Sequence, residues 1–93
     1  MIRSFGSKDT ERLRHRERVP SIDPRIQRVA LRELRQIASV QSVDELRVPP
    51  GNRLEVLKGD RAGQHSIRVN DQWRICFVWT GAGAEEVEIV DYH

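Results

Sequence analysis

Glu55, Arg68, Arg74 and Tyr92 are the residues of this 93-residue chain whose types and spacing could do chemistry, and His93 closes the sequence beside them. A carboxylate, two guanidiniums and a phenol on one face would suit work on a phosphodiester. RNA cleavage needs little more. A base draws the proton from a ribose 2′-OH, cations hold the charged phosphorane, and an acid protonates the departing 5′-oxygen. In that scheme Glu55 is the base and the Arg74 and Arg68 forks clamp the phosphate. Tyr92 or His93 is the acid, and neither metal nor cofactor is required. The plain alternative is a cross-strand charge ladder in which Glu55 merely offsets two opposed arginines.

Whether these side chains meet depends on strand parity, because alternate residues of a strand face opposite ways. Apolar positions are odd in residues 65–69 (Ile67, Val69) and odd again in 73–79 (Trp73, Ile75, Phe77, Trp79). The three-residue loop Asn70-Asp71-Gln72 joins two such strands, pairing Ile67 with Ile75 and setting Arg68 opposite Arg74. The preceding strand has even apolar positions, Leu54 and Val56. An even loop from Gly59 to Gln64 predicts Glu55 opposite Arg68. After the Gly81-Ala82-Gly83 turn the last strand has odd apolar positions, Val87 and Ile89, which sends Tyr92 to the Arg74 face. Lys58 has core-face parity, but at a strand end its long side chain could bend round to the phosphate. A bulge in any strand would shift it by a residue and break this alignment.

The elements before the sheet read as helices. Ile2 to Phe5 suggests a short first strand. Ser7 can cap a helix over Lys8 to Arg18 with Leu13 as its apolar anchor. Asp23-Pro24 is a strong helix start, and Ile26, Val29, Ala30, Leu34, Ile37 and Ala38 recur at helical spacing through about Ser39. Arg25, Arg28, Arg32 and Arg35 follow the same rhythm on another face, either as a solvated surface or as a basic stripe for nucleic acid or an acidic partner. Val48-Pro49-Pro50-Gly51-Asn52 ends the helical half. The predicted class is α+β, one domain over residues 1–93: a short strand, two helices, then an antiparallel β-meander with helices on its buried face.

Composition bounds the rest. Hydrophobic residues are 38% and charged residues 32%, with a mean hydropathy of −0.61, which fits a globular domain rather than a membrane span. No apolar run opens the chain, so the expectation is a cytoplasmic protein. Residues 1–35 hold ten Lys/Arg against five Asp/Glu, whereas residues 81–93 hold four carboxylates and no Lys or Arg. The basic half suggests a polyanionic partner. His15, His65 and His93 lack metal-ligand spacing, and neither a glycine-rich phosphate loop nor a nucleophile elbow occurs. Cys76, His65, Trp73 and Trp79 carry core parity or lie in an apolar strand and read as packed residues.

Leu57-Lys58-Gly59-Asp60, the run Ser66 to Ile75 and the closing Asp91-Tyr92-His93 together resemble the HigB branch of the RelE/ParE toxin superfamily. The likeness is strong over residues 53–93 and weak through the helices. It implies a RelE-like fold and a toxin of a type II toxin–antitoxin pair, similar to ribosome-dependent endoribonucleases that cut A-site mRNA to a 2′,3′-cyclic phosphate and a 5′-OH. It also implies phosphate-facing roles for Lys58 and Arg74, a catalytic group of Asp91, Tyr92 and His93, and Gln72 near the substrate; Lys58 and His93 join the cluster on this ground. Glu55 stands where HigB members often carry histidine, and a related branch uses a glutamate base. The implied partners are a HigA-like helix-turn-helix antitoxin, the ribosome with its mRNA, and operator DNA through the toxin–antitoxin complex. A non-catalytic ParE-like DNA gyrase inhibitor would share the fold without needing the cluster.

Overall fold

The computed structural model describes residues 1–91. Helices α1 (Lys8–Arg14) and α2 (Pro24–Ser39) precede strands β1 (Glu55–Val56), β2 (His65–Arg68), β3 (Trp73–Thr80) and β4 (Gly83–Asp91). The strands form one antiparallel sheet in sequence order. This is the α+β arrangement that the spacing predicts.

The helix starts follow from their caps. Ser7 Oγ accepts the Thr10 backbone N–H at 3.2 Å, and the Asp23 carboxylate accepts that of Arg25 at 2.9 Å, each satisfying a donor the helix leaves open. The first helix is shorter than the predicted Lys8–Arg18. It stops at Arg14, and Arg16 takes a left-handed conformation with φ 64°. No apolar residue lies between Leu13 and Val19 to hold a further turn, and Val19 and Ile22 must turn inward to reach the core. Of the predicted stripe on α2, Ile26, Ala30, Leu34 and Ile37 are fully buried, while Val29 and Ala38 are half-buried. Glu33 unexpectedly shares that inner face.

These helix residues pack with Ile67, Ile75, Phe77, Val87 and Ile89 in one cluster, so the helices cover the odd-numbered side of β2 and β3. Thr10 ties α1 to the sheet: its buried Oγ1 accepts the Ile89 N–H at 2.9 Å.

Ile67 faces Ile75 and Arg68 faces Arg74, as parity predicts. The first pairing does not follow the prediction. Glu55 lies opposite Ser66, not Arg68, and Val56 lies opposite His65. The connecting loop keeps its even length but begins at Lys58, closed by Leu57 N–H to Gln64 O at 2.9 Å. Positive φ angles at Gly59 and Gly63 bend it there. The slip is two residues, so every side chain keeps its face.

A bulge does occur, between Cys76 and Val78 on β3 against Glu85–Glu88 on β4, with Glu86 at φ 53°. It precedes the segment that matters: Ile75–Ile89, Arg74–Val90 and Trp73–Asp91 remain paired.

The predicted opening strand is instead two isolated parallel bridges, Ile2 with Ala84 and Phe5 with Val87. The bulge at Glu86 separates them and prevents a continuous ladder. Arg3 N–H donates to Ala84 O at 2.7 Å and Gly6 N–H to Val87 O at 2.9 Å, while Ser4 Oγ accepts the Glu86 N–H at 2.9 Å. Among the described residues no helix is long and apolar enough to cross a membrane.

Candidate functional site

Arg74 is 8% exposed, and a buried guanidinium is costly unless its donors are satisfied. Its Nε donates to Ser66 Oγ at 2.8 Å. Its Nη2 donates to the Arg53 carbonyl at 2.8 Å, with the Ser66 carbonyl at 3.5 Å. The Glu55 carboxylate lies 3.8 Å from Nη2 and its side chain is 54% exposed. Nη1 makes no hydrogen bond among the described residues, so one edge of the fork remains for an anion. A carboxylate open to solvent thus sits against an immobilised cation on the sheet face away from the helices.

The Arg53 carbonyl is itself held in place. Arg53 has φ 45° and ψ 58° after a 3-10 turn over Pro50–Asn52, which aims its C=O at β3. Asn52, 2% exposed, donates through Nδ2 to Gln36 Oε1 at 3.0 Å and Leu46 O at 3.1 Å. Gln36 Nε2 donates to Val48 O at 2.6 Å. A chain of buried and half-buried polar contacts therefore runs from α2 through the proline-containing loop to Arg74.

Arg68 shares the face but is turned to its own hairpin, where it pairs with Asp71. That pairing relieves the repulsion of two directly opposed arginines. Asp71 is nearly fully exposed, so a phosphate could displace it at small cost. Gln72 donates to Asp91 at 3.0 Å. Asp91 lies opposite Trp73 and so has the parity of the helix-covered side. Lys58 is exposed in the loop after β1. Tyr92 and His93 lie outside the described residues.

On α2, Arg25 is occupied by Asp23 through three side-chain contacts of 2.8–3.1 Å, and that bonding holds the Asp23 carboxyl below its ordinary range. Arg28, Arg32 and Arg35 are exposed. The tryptophans pack against the core as expected. His65 stacks on Phe77 with ring centroids 6.1 Å apart, and buried Cys76 has its thiol pushed up chiefly by desolvation.

Sequence reasoning missed Ser66, Asn52 and Glu33. Ser66 carried a weak signal, being one small polar residue on the Arg74 face. Glu33 is 3% exposed and its Oε1 has no hydrogen-bond partner. Burial pushes its carboxyl up to about 7, against the opposing fields of Arg32, Arg74 and Arg68. The helical period does carry a signal, since position 33 falls between Ile26, Ala30 and Ile37 on the buried stripe.

A family model described as the RelE-like toxin of type II toxin–antitoxin system HigB matches residues 3–93. The chain is 44% identical over 54 residues to "Toxin HigB-1" of Vibrio cholerae serotype O1, a match covering 58% of this chain and 57% of that protein. It is 36% identical over 56 residues to an "Uncharacterized protein" of Haemophilus influenzae, covering 60% and 55% respectively. In these matches the chain therefore spans little more than half the length of each curated relative.

Proposed function

The chain belongs to the HigB-like family of RelE-like toxins of type II toxin–antitoxin systems, and from that premise we propose that it is a metal-independent endoribonuclease that cuts mRNA in the ribosomal A site. Glu55 takes the 2′-OH proton, and the freed oxygen attacks the adjacent phosphorus. Arg74 holds the equatorial oxygens of the phosphorane through its open edge, with Lys58 and Arg68 closing on the same anion. Tyr92 or His93 gives the proton to the 5′-oxygen as the P–O bond breaks. The products are a 2′,3′-cyclic phosphate and a 5′-OH. Asp91 and Gln72 orient the strand end that precedes Tyr92.

The observation that carries this reading is the 3.8 Å approach of an exposed carboxylate to a buried, fixed guanidinium. A charge ladder gains little from burying its arginine, because exposed ion pairs contribute only about 0–1 kcal/mol. Preorganisation for a developing charge gains from it directly. The expected partners are an antitoxin of the helix-turn-helix type, the ribosome, and operator DNA through the toxin–antitoxin complex, all within the cytoplasm.

Primer extension on message from induced cells tests the proposal. Cuts within codons that vanish with Arg74→Ala support it. Toxicity without such cuts sinks it, and gyrase inhibition that survives Glu55→Ala would transfer the case to a non-catalytic ParE-like action.

A further inference from the structure

The outer side of α2 carries a groove of about 490 Å³ lined by Arg28, Val29, Arg32 and Arg35. The spacing is i, i+4 and i+7, so the three guanidiniums lie along roughly 10 Å of one helix edge. None of the three forms an ion pair or a hydrogen bond among the described residues. Glu33, the sole acid in α2, is buried on the inner face and forms no ion pair with them; of the three, only Arg32 is named in its field. Arg25, which shares their rhythm, is withdrawn from the set by Asp23. Like charges at these spacings on one helix edge repel one another, and no ion pair among the described residues offsets that cost. An anion would.

We infer that Arg28, Arg32 and Arg35 form a docking track for the phosphate backbone of RNA outside the scissile dinucleotide. Three features favour a nucleic-acid backbone over an acidic peptide. All three cations are arginines, whose planar forks take phosphate oxygens in pairs. Successive charges a helical turn apart suit a chain that carries an anion on every residue. The floor offers only Val29 as an apolar contact, whereas peptide segments draw their affinity from apolar and aromatic anchors seated in pockets. The choice of RNA over DNA rests on the ribonuclease reading, but the binding itself does not require cleavage.

The test is fluorescence anisotropy with 2′-O-methyl RNA, which binds but cannot be cut. Oligomers of roughly three and roughly twelve nucleotides are titrated across a salt series. For the longer RNA, the Arg28→Gln/Arg32→Gln/Arg35→Gln protein should lose about 2 units of the slope of log K against log salt, at about 0.7 per single-strand phosphate contact. The corresponding triple lysine protein should keep the slope with weaker binding. Arg74→Ala should lose no more than about 1 unit, so a protein that proves unable to cut RNA still reports on the track. An unchanged slope in the glutamine variant overturns the inference. So does equal loss on the three-nucleotide RNA, or tighter binding of duplex DNA or of a glutamate-rich peptide than of the long RNA. Circular dichroism of each exposed-site variant confirms that the comparison is between folded proteins.

Discussion

Ser66 Oγ accepts a hydrogen bond from Arg74 Nε at 2.8 Å inside the sheet, from the diagonal position on the neighbouring strand. The hydroxyl fixes the direction of the guanidinium and leaves its far edge open. Ser66→Ala removes that acceptor while leaving the arginine buried. Hydrogen bonds to charged groups contribute about 1.5–3 kcal/mol, so the melting temperature should drop by several degrees. RNA cleavage should fall by at least tenfold in kcat with KM little changed. A kcat that survives intact would mean Arg74 needs no such support.

Arg74→Lys retains the charge but cannot reach Ser66 Oγ and the Arg53 carbonyl at once, since an ammonium on a single stem has no planar fork. Cleavage should therefore drop nearly as far as in Arg74→Ala, on the order of 100-fold, when both are assayed on the same message. Recovery of most activity by lysine would show that charge alone suffices.

Glu33 predicts a pH dependence of stability. Its folded carboxyl titrates at about 7 against an ordinary 4.5, so between those values the folded protein holds a proton the unfolded chain has released. Stability from this group is complete below about pH 4.5 and is lost as pH rises through 7. The full shift corresponds to roughly 3 kcal/mol. Thermal melts should show Glu33→Gln overtaking the parent protein above neutral pH, with the gap closing toward pH 5. Parallel curves for the two proteins would refute a buried, titrating Glu33.

Gly83 has φ +133°, and a Cβ there would stand 2.3 Å from the Met1 carbonyl oxygen. Gly83→Ala combines backbone strain with a backbone clash. It should lower stability by more than 1 kcal/mol and speed amide exchange at Arg3, whose N–H bonds the adjacent Ala84 carbonyl. Unaltered exchange at Arg3 would show that the opening segment does not rely on this approach.

The sheet face is legible because strand parity tolerates a two-residue slip. Glu55 slipped two residues from its expected partner, yet stayed beside Arg74. A slip of one would have buried it. The caps at Ser7 and Asp23 were equally readable, being local chemistry between neighbours. Asn52 and Ser66 were not, because their importance lies in contacts 16 and 8 residues away, and no local pattern encodes those; Glu33 sits on the helical stripe, but its charge reads as a surface residue. The end of α1 is likewise set at a distance: it stops at Arg14, short of Arg18, where Val19 and Ile22 are drawn inward by the core.

β4 pairs on one side with β3 and on the other with residues 2–5, some eighty positions upstream. During synthesis, therefore, residues 2–5 wait for their partner until β4, the last described strand, has been made. Contacts so distant in sequence are slow to close, whereas β3, which carries Arg74, reaches β4 through one short turn. The partners that aim Arg74, Ser66 and the Arg53 carbonyl, lie only 8 and 21 residues upstream of it, so the guanidinium is fixed by far shorter loops than those that close the other edge of β4.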